Sequence, residues 1–277
     1  MKGDCMYTEL KGNVVLITGG GTGIGRETAL AFAREGCQVA ICGRRKEKLD
    51  EVVRQGRELG FDIFSKTADV TDRESISAFA RETADHFGGI DIWVNNAGAS
   101  MGASLLACSD EDWDRMMDVN LKSVWTGCQV ALPYLKYKES ASIINFSSFT
   151  AYVPNTKSGL YSLAKGAVKP LTRILAAELA PYNIRVNCVA PGFIMTDLLM
   201  TNNSERIKNN RAEMLKDVAL RQFGKPETVA KSVVFLASNA NQYITGSCLL
   251  IGGGKLLVQD TQNAWTAAEQ MQFESEA

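Results

Sequence analysis

Short apolar runs rich in β-branched residues alternate along the chain with longer stretches that have the spacing of amphipathic helices. Strands that alternate with helices predict right-handed crossovers and a parallel sheet that is covered on both faces. We therefore predict a single α/β domain, a doubly wound parallel sheet of about seven strands with helices on both faces. The predicted strands are Val14 to Thr18, Gln38 to Cys42, Ile63 to Thr67, Ile92 to Asn95, Ser142 to Phe146, Arg185 to Val189 and Cys248 to Ile251.

Two segments depart from this alternation, but no linker divides the chain, so residues 1–277 are predicted to form one domain. Residues 195–223 are a long, polar and helical insert that follows the sixth predicted strand. Because loops after the carboxyl ends of strands line the ligand crevice in such folds, we predict a substrate lid there. Residues 255–277 form a C-terminal tail, for which packing on a neighbouring subunit and fraying are both open alternatives.

Charge and hydropathy exclude several classes of partner. The chain has 30 basic and 31 acidic residues without a basic block, so neither nucleic acid nor an anionic membrane is indicated. The first ten residues lack an apolar run, and no stretch reaches the roughly 18 apolar residues of a membrane span. These features predict a cytoplasmic protein that acts on a small molecule.

The cysteines and the single histidine offer little metal or disulfide chemistry. The seven cysteines are an odd number without closely spaced pairs, which opposes a disulfide framework and a zinc site and favours apolar packing. His86 lies in a polar stretch before Gly88, as expected at the surface end of a helix. We predict no metal site and no catalysis by histidine.

Tyr161 and Lys165 are four residues apart within a predicted helix, so they share one helix face. A phenol with its ordinary pKa of about 10 is a poor acid-base group at neutral pH. A neighbouring ammonium favours the phenolate and lowers the pKa of the phenol toward the working range. The pair alone is a weak signal, since a half-buried tyrosine beside a solvated lysine is the usual meaning of this spacing.

A glycine-rich turn, Thr18 to Gly25, follows the first predicted strand and precedes a helical pattern. Such a turn lets the backbone approach a pyrophosphate, which the helix amino terminus then holds, so this is a predicted dinucleotide-binding domain. Arg44 and Arg45 follow the second predicted strand, at the place where an NAD site expects Asp or Glu, and guanidinium groups suit a 2′-phosphate. This favours NADP(H) over NAD(H), with Arg44 the safer residue; alternatively, both arginines merely start a solvated helix.

With these motifs, residues 10 to 254 resemble the classical short-chain dehydrogenase/reductases, a family with a single-domain Rossmann fold. Ser148 lies thirteen residues before Tyr161, as the family's serine does, and Asn120 matches its helical asparagine. The other matches are TGxxxGIG at Thr18 to Gly25, NNAG at Asn95 to Gly98, and the start of the nicotinamide loop at Pro191 and Gly192.

The resemblance implies a role for each of these residues. It makes Tyr161 the proton donor in reduction and Ser148 the residue that holds the substrate oxygen. Lys165 would bind the ribose and lower the pKa of the tyrosine, and Asn120 would anchor a water for proton relay. The cofactor-binding residues that it implies are Gly19, Thr22, Gly23, Ile24, Gly25, Arg44, Arg45, Asp69, Val70, Asn96, Ala97, Gly98, Tyr161, Lys165, Pro191, Gly192, Ile194 and Thr196.

Structural interpretations of three of these residues stay open at this point. Asn120 could be a buried helix asparagine, Ser147 competes with Ser148 for the same role, and Asp69 could cap the helix that follows it.

The chain also departs from the family pattern. Thr22 occupies a position where many NADP-dependent members have a basic residue, and Gly252 replaces the usual aspartate. Pro170 falls within the helix of Tyr161 and Lys165, where a lost hydrogen bond predicts a kink.

These expectations combine into an NADP(H)-dependent oxidoreductase that interconverts a ketone and a secondary alcohol. It resembles the 3-oxoacyl carrier-protein reductase and hydroxysteroid dehydrogenase branches, with an apolar substrate that is acyl or steroid-like. The alternatives are an NAD-dependent polyol or sugar dehydrogenase and a non-catalytic cofactor-sensing protein. The resemblance also implies a homo-oligomer, either a tetramer or a dimer. The predicted substrate walls include Met101, Phe149, Tyr152, Val153, Pro154, Leu198, Leu199 and Met200.

Overall fold

Seven parallel strands form one sheet in the order β3-β2-β1-β4-β5-β6-β7. The structure is a computed structural model that describes residues 6–102, 104–197, 199, 211–255 and 265–266. The topology and the parallel direction confirm the predicted doubly wound fold. The strands are β1 Val14–Thr18, β2 Gln38–Gly43, β3 Ile63–Thr67, β4 Ile92–Asn95, β5 Ala141–Phe146, β6 Ile184–Pro191 and β7 Cys248–Ile251.

Helices cover both faces of this sheet. A π-helical turn, Asp118–Lys122, joins the fourth helix to the fifth. The main helices are α1 Gly23–Arg34, α2 Lys46–Glu58, α3 Arg73–Phe87, α4 Asp110–Met117, α5 Ser123–Leu135, α6 Gly159–Leu179 and α7 Pro226–Ala237.

The core consists of two apolar layers, one on each side of the sheet. Successive residues of β1 point to opposite faces, so Ile17 packs in the layer that contains α1 and α7, and Leu16 packs in the other layer. All five residues of β1 are buried. A strand covered on both faces has no polar side, which explains why the strands appear in the sequence as continuous apolar runs.

Four of the seven predicted strands have the observed boundaries, and the other three are longer than predicted. The largest difference is in β6, where the prediction misses Ile184 at the start and Ala190 and Pro191 at the end. Pro191 ends the strand, and its backbone lies beside Ile251 of β7.

Helix α6 continues through Pro170. The ring of a helical proline approaches the carbonyl four residues earlier, which here belongs to Gly166. Gly166 has open space around its α-carbon, and Pro170 itself is exposed. The helix therefore tolerates the proline without ending, and a bend of its axis at this position stays a prediction.

The cysteine prediction needs one correction. Cys188 and Cys248 are register partners on β6 and β7, and a disulfide joins them. Sequence spacing did not reveal the pair because parallel strand pairing brings together residues 60 positions apart. By contrast, Cys42 and Cys128 are buried packing residues, and burial raises the pKa of each thiol to about 12.

His86 lies in the last turn of α3, where its ring stacks on Phe64 at 5.0 Å, as expected for a helix end. Among the residues that the structure describes, no three His, Cys, Asp or Glu side chains are grouped as metal ligands. None of the described helices is both long and apolar enough to cross a membrane.

Only part of the predicted lid and tail belongs to the described residues. Residues 211–215 are helical, and Met214, Leu215, Val218 and Phe223 form a small buried cluster against Phe193. The last lid residues therefore share an apolar contact with the loop after β6. Two predicted wall residues, Leu198 and Met200, lie outside the described residues, and the lid assignment stays a prediction.

Candidate active site

The predicted site residues lie at one edge of the sheet, where β1, β4, β5 and β6 end. Because all strands are parallel, their carboxyl ends meet at this edge. The glycine-rich turn follows β1, Asn96 follows β4, Ser148 follows β5, and Gly192 follows β6.

The turn after β1 is tied to the loop after β4. The Asn96 side-chain amide donates to the carbonyl oxygens of Thr18 and Gly19, at 2.9 and 3.0 Å. The Thr18 hydroxyl accepts from the backbone N–H groups of Asn96 and Ala97, both at 3.1 Å. Thr18 was not among the predicted site residues, although its position at the end of a strand and before glycine was a usable signal.

Glycine is required in this turn for two reasons. Gly19 has a φ of +67°, and a Cβ there would lie 2.9 Å from Cα of Ala97. Gly23, the first residue of α1, has a φ of +54°, and its Cβ would lie 3.3 Å from Cγ2 of Thr196. A Cβ at Gly98 would lie 3.1 Å from Nζ of Lys165. The missing side chains let the turn after β1 approach the loops after β4 and β6 closely, and the groove along these loops is the predicted dinucleotide site.

The other predicted residues of this groove have the positions that such a ligand needs. Ile24 and Gly25 are in the first turn of α1, whose N–H groups suit a pyrophosphate. Ile194 is buried and pairs through its backbone with Gly224. The Thr196 hydroxyl accepts from Leu199 N at 3.3 Å within the loop after Pro191 and Gly192. This loop lies close to α1, since a Cβ at Gly23 would be 3.3 Å from Cγ2 of Thr196.

Arg44 and Arg45 are exposed between β2 and α2, at the end of the groove. The helix begins at Lys46, so both arginines precede it. One guanidinium nitrogen of Arg45 donates to the Thr22 hydroxyl at 3.5 Å. Many NADP-dependent family members have a basic residue at the position of Thr22. Here the guanidinium of Arg45 lies beside Thr22 and brings a positive charge to the same turn.

Asp69 does not cap the helix that follows it. Asp72 caps α3 by accepting from Glu74 N at 3.0 Å, whereas Asp69 accepts from the N–H and the hydroxyl of Thr71. Burial raises the pKa of Asp69, but the two bonds from Thr71 and the nearby Arg44 outweigh it, and the pKa is lowered. Val70 packs against the core.

Asn120 lies in the π-helical turn between α4 and α5 and is fully buried. Its side-chain oxygen accepts from Ala99 N at 3.1 Å, and its amide donates to Met116 O at 3.1 Å. The wider turn of a π-helix directs this side chain out of the regular helical hydrogen-bond pattern and toward the loop after β4. The same oxygen would lie 3.0 Å from a Cβ at Gly98.

The two adjacent serines after β5 have different partners. The Ser147 hydroxyl donates to the backbone carbonyl of Lys165 at 2.8 Å. Ser148 is also buried, its hydroxyl accepts from Thr150 N at 3.2 Å, and it lies close enough to the phenol of Tyr161 to lower the pKa of that phenol. This geometry favours Ser148 over Ser147 as the group that faces a substrate.

Tyr161 and Lys165 lie on α6 beside these serines. Burial raises the pKa of the Tyr161 phenol, and the hydrogen bond with Ser148 only partly opposes this effect. The direction differs from the expected one, since Lys165 is not among the groups that lower this pKa. The Lys165 ammonium is 4% exposed and donates to Phe146 O at 2.9 Å, and burial lowers its pKa to about 8.

A network of buried side-chain amides lies beneath the site, and we did not predict it from the sequence. Asn95 donates to Asn145 across β4 and β5 at 2.9 Å and accepts from Trp93 at 2.7 Å. Asn145 donates to the Thr172 hydroxyl on α6 at 3.1 Å. The network fixes α6 relative to the sheet. Asn145 within the apolar run of β5 was the available signal.

The fold and this arrangement of hydroxyl, phenol, ammonium and glycine groove define a dinucleotide-binding oxidoreductase domain. The chain belongs to the short-chain dehydrogenase/reductase family, because the family model described as Enoyl-(Acyl carrier protein) reductase matches residues 19–255. Membership makes it an oxidoreductase of alcohol and ketone groups and implies a nicotinamide cofactor.

Known relatives agree with this assignment. The chain is 39% identical to the 3-oxoacyl-(acyl-carrier-protein) reductase FabG of Thermotoga maritima over 249 residues, which cover 90% of this chain and 99% of the relative. It is 38% identical to the FabG of Staphylococcus aureus over 240 residues, 86% of this chain and 96% of the relative.

Two solved structures are also similar. A short-chain type dehydrogenase/reductase from Mycobacterium marinum has a TM-score of 0.85 and 32% identity, covering 91% of this chain and 98% of that one. Levodione reductase has a TM-score of 0.84 and 29% identity, covering 88% and 97%.

Proposed function

We propose that the protein reduces a ketone to a secondary alcohol with NADPH, and that Tyr161 is the proton donor. The observation that carries the proposal is the position of the buried Ser148 beside Tyr161, with the buried Lys165 one helical turn farther along α6. The 3-oxoacyl-(acyl-carrier-protein) reductases among the relatives support an acyl substrate with a keto group.

The chain's own groups carry the proton chemistry. Ser148 and Tyr161 donate hydrogen bonds to the substrate oxygen and stabilise the negative charge that develops on it. Tyr161 then transfers its proton to that oxygen, Lys165 would bind the ribose of the cofactor, and Asn120 holds a water that returns a proton. The bound nicotinamide cofactor supplies the hydride. A raised phenol pKa keeps Tyr161 protonated at neutral pH, as a proton donor in reduction must be.

The cofactor is held along the groove between the glycine-rich turn and the loops after β4 and β6. The 2′-phosphate is recognised by Arg44 and Arg45, since guanidinium groups bind phosphate well. The contact of Arg45 with Thr22 supports this choice because it places a cation over the turn. Asp69 and Val70 would hold the adenine.

Replacing Tyr161 by Phe tests the mechanism. The change removes the proton donor and leaves the ring, so kcat for NADPH-dependent ketone reduction should fall by roughly 10²- to 10⁴-fold. Tyr182→Phe is the control, because this exposed phenol lies just beyond the end of α6. NADPH binding, measured by fluorescence titration, should survive in both variants. Undiminished reduction by Tyr161→Phe across acyl thioesters, steroids and sugars would refute the mechanism.

Replacing Arg44 by Ala tests the cofactor choice. NADPH affinity should fall by about tenfold or more while NADH affinity changes little, because only the former has the 2′-phosphate. Arg57→Ala is the matched control, because Arg57 is an exposed arginine in the last turn of α2. A constant ratio of the two affinities would remove the phosphate assignment and favour the NAD-dependent alternative.

We also propose a homo-oligomer built on α5 and α6. Both helices expose apolar side chains after covering the core: Trp125 is 41% exposed, Leu163 45% and Ile174 56%. Exposed apolar groups on neighbouring helices are typical of a surface between subunits.

A further inference from the structure

Lys255, just after β7, places a buried ammonium beside the proposed catalytic loops. The residue is 8% exposed. Its Nζ lies 4.9 Å from the ring centroid of Phe193 and 5.8 Å from that of Phe149. Phe149 directly follows Ser148, Phe193 follows Pro191 and Gly192, and the two rings contact each other edge to face at 5.2 Å. The ammonium therefore lies close to the loops that carry Ser148 and Gly192, where the ketone would bind.

The hydrogen-bonding capacity of this ammonium is unfilled within the described part of the chain. An ammonium has three donors, and the charged group nearest to Lys255 is Asp217, whose oxygen is 3.8 Å away and whose side chain is 58% exposed. Lys165, which is similarly buried, has a carbonyl partner at 2.9 Å. The long ion pair and the two ring faces leave the ammonium able to donate to a further oxygen, as a bound anion would offer.

The missing partner is not the cofactor's 2′-phosphate. That phosphate is assigned to the end of β2, and Lys255 follows β7, five strands farther along the sheet. With about 4.8 Å between neighbouring strands, the two positions are roughly 24 Å apart. An anion at Lys255 is therefore not the 2′-phosphate, and a substrate held at Ser148 can supply it.

We propose that the substrate carries a carboxylate that Lys255 binds, so that the protein reduces keto acids with an apolar body. This inference rests on the proposed ketone reduction and adds a substrate class to it. The aromatic rings of Phe149 and Phe193 contact the apolar body, and the ammonium pairs with the carboxylate, for which the distant Asp217 is a weak competitor.

The test compares keto acids of several chain lengths with their methyl esters, using purified protein and NADPH. The parent should show a higher kcat/KM for the acids. Lys255→Met should lower kcat/KM for the acids by about 30-fold or more, as expected for a buried charge pair, and leave the esters within about threefold. Lys136→Met is the control, since its ammonium contacts the ring of Tyr137 on the exposed surface.

Two results would overturn the inference. An unchanged acid-to-ester ratio in Lys255→Met would remove the anion contact, and an equal loss for acids and esters would mean that Lys255 only holds the two rings in place. If the parent reduces no ketone, the proposed function fails separately. In that case, the shift in melting temperature that acids and esters cause in the presence of NADPH decides the inference. A larger shift with acids that Lys255→Met abolishes supports the inference, and equal shifts with acids and esters overturn it.

Discussion

Replacing Lys165 by Met should make the protein more stable while it removes a residue of the proposed mechanism. Met has a similar length and no charge, so it fills the same buried space. The parent must keep an ammonium in a position that is 4% exposed, with one carbonyl partner. The substitution therefore separates what the ammonium does for catalysis from what it costs the fold.

The magnitude follows from the pKa of Lys165. Burial lowers it from 10.5 to about 8, a difference of about 2.5, which corresponds to roughly 3 kcal/mol at neutral pH. The variant leaves the Phe146 carbonyl without its donor, which costs about 1 to 2 kcal/mol. We expect a net gain of about 1 to 2 kcal/mol in the free energy of unfolding at pH 7.

The pH dependence gives the sharper assay. Folded Lys165 loses its proton near pH 8 and the unfolded chain only near 10.5, so the unfolded state binds more protons between these values. The destabilisation is therefore complete below about pH 8 and disappears as the pH rises toward 10.5. Urea unfolding of parent and variant at equal protein concentration should show that the variant's advantage falls across this window and reverses near pH 10.5, because the loss of the bond to Phe146 remains.

The exposed Lys157, just before α6, provides the control, since Lys157→Met should leave both the stability and its pH dependence unchanged. A Lys165→Met variant that is less stable than the parent at pH 7, or a difference that does not vary with pH, would refute the reasoning.

Three further outcomes are expected. Gly19→Ala should weaken NADPH binding by more than tenfold in a fluorescence titration, because its φ of +67° and the 2.9 Å approach to Ala97 exclude a Cβ; unchanged affinity would contradict the groove. Asn145→Ala should lower the free energy of unfolding by about 2 to 3 kcal/mol in urea, because it leaves buried amide partners unpaired; a loss below about 0.5 kcal/mol would mean that the network contributes little. Ile174→Glu should reduce the mass measured by light scattering, because it places a charge in the proposed subunit surface; an unchanged mass, with Leu163→Glu also unchanged, would exclude α6 as an interface.

The sequence predicted the sheet well because each buried strand shows its apolar character locally. Residues 14–18, for example, are all apolar or β-branched and all form β1. The hydrogen bond between Asn120 and Ala99 was harder to predict from the sequence, since it depends on a π-helical turn that no local sequence pattern indicates.

Electrostatics were the least predictable part of the site. Spacing placed Tyr161 and Lys165 on one helix face, but the direction of the tyrosine pKa depends on how completely the surrounding loops exclude water. In the same way, the sequence indicated Lys255 only as the start of the C-terminal tail. Its ammonium contacts Phe193 and Phe149, which are about 60 and 100 positions away in the chain. Burial of a charge is a property of the whole fold and not of its neighbours in sequence.

The bonds from Asn96 to Thr18 and Gly19 also determine when the groove can form during folding. They join residues that are 77 and 78 positions apart, and β2, β3 and three helices lie between them in the chain. Closing so long a loop costs conformational entropy before any contact repays it, so such pairings tend to form late. A nascent chain with β1 and its glycine-rich turn complete would therefore hold the cofactor poorly until β4 docks, and cofactor binding would report that docking event.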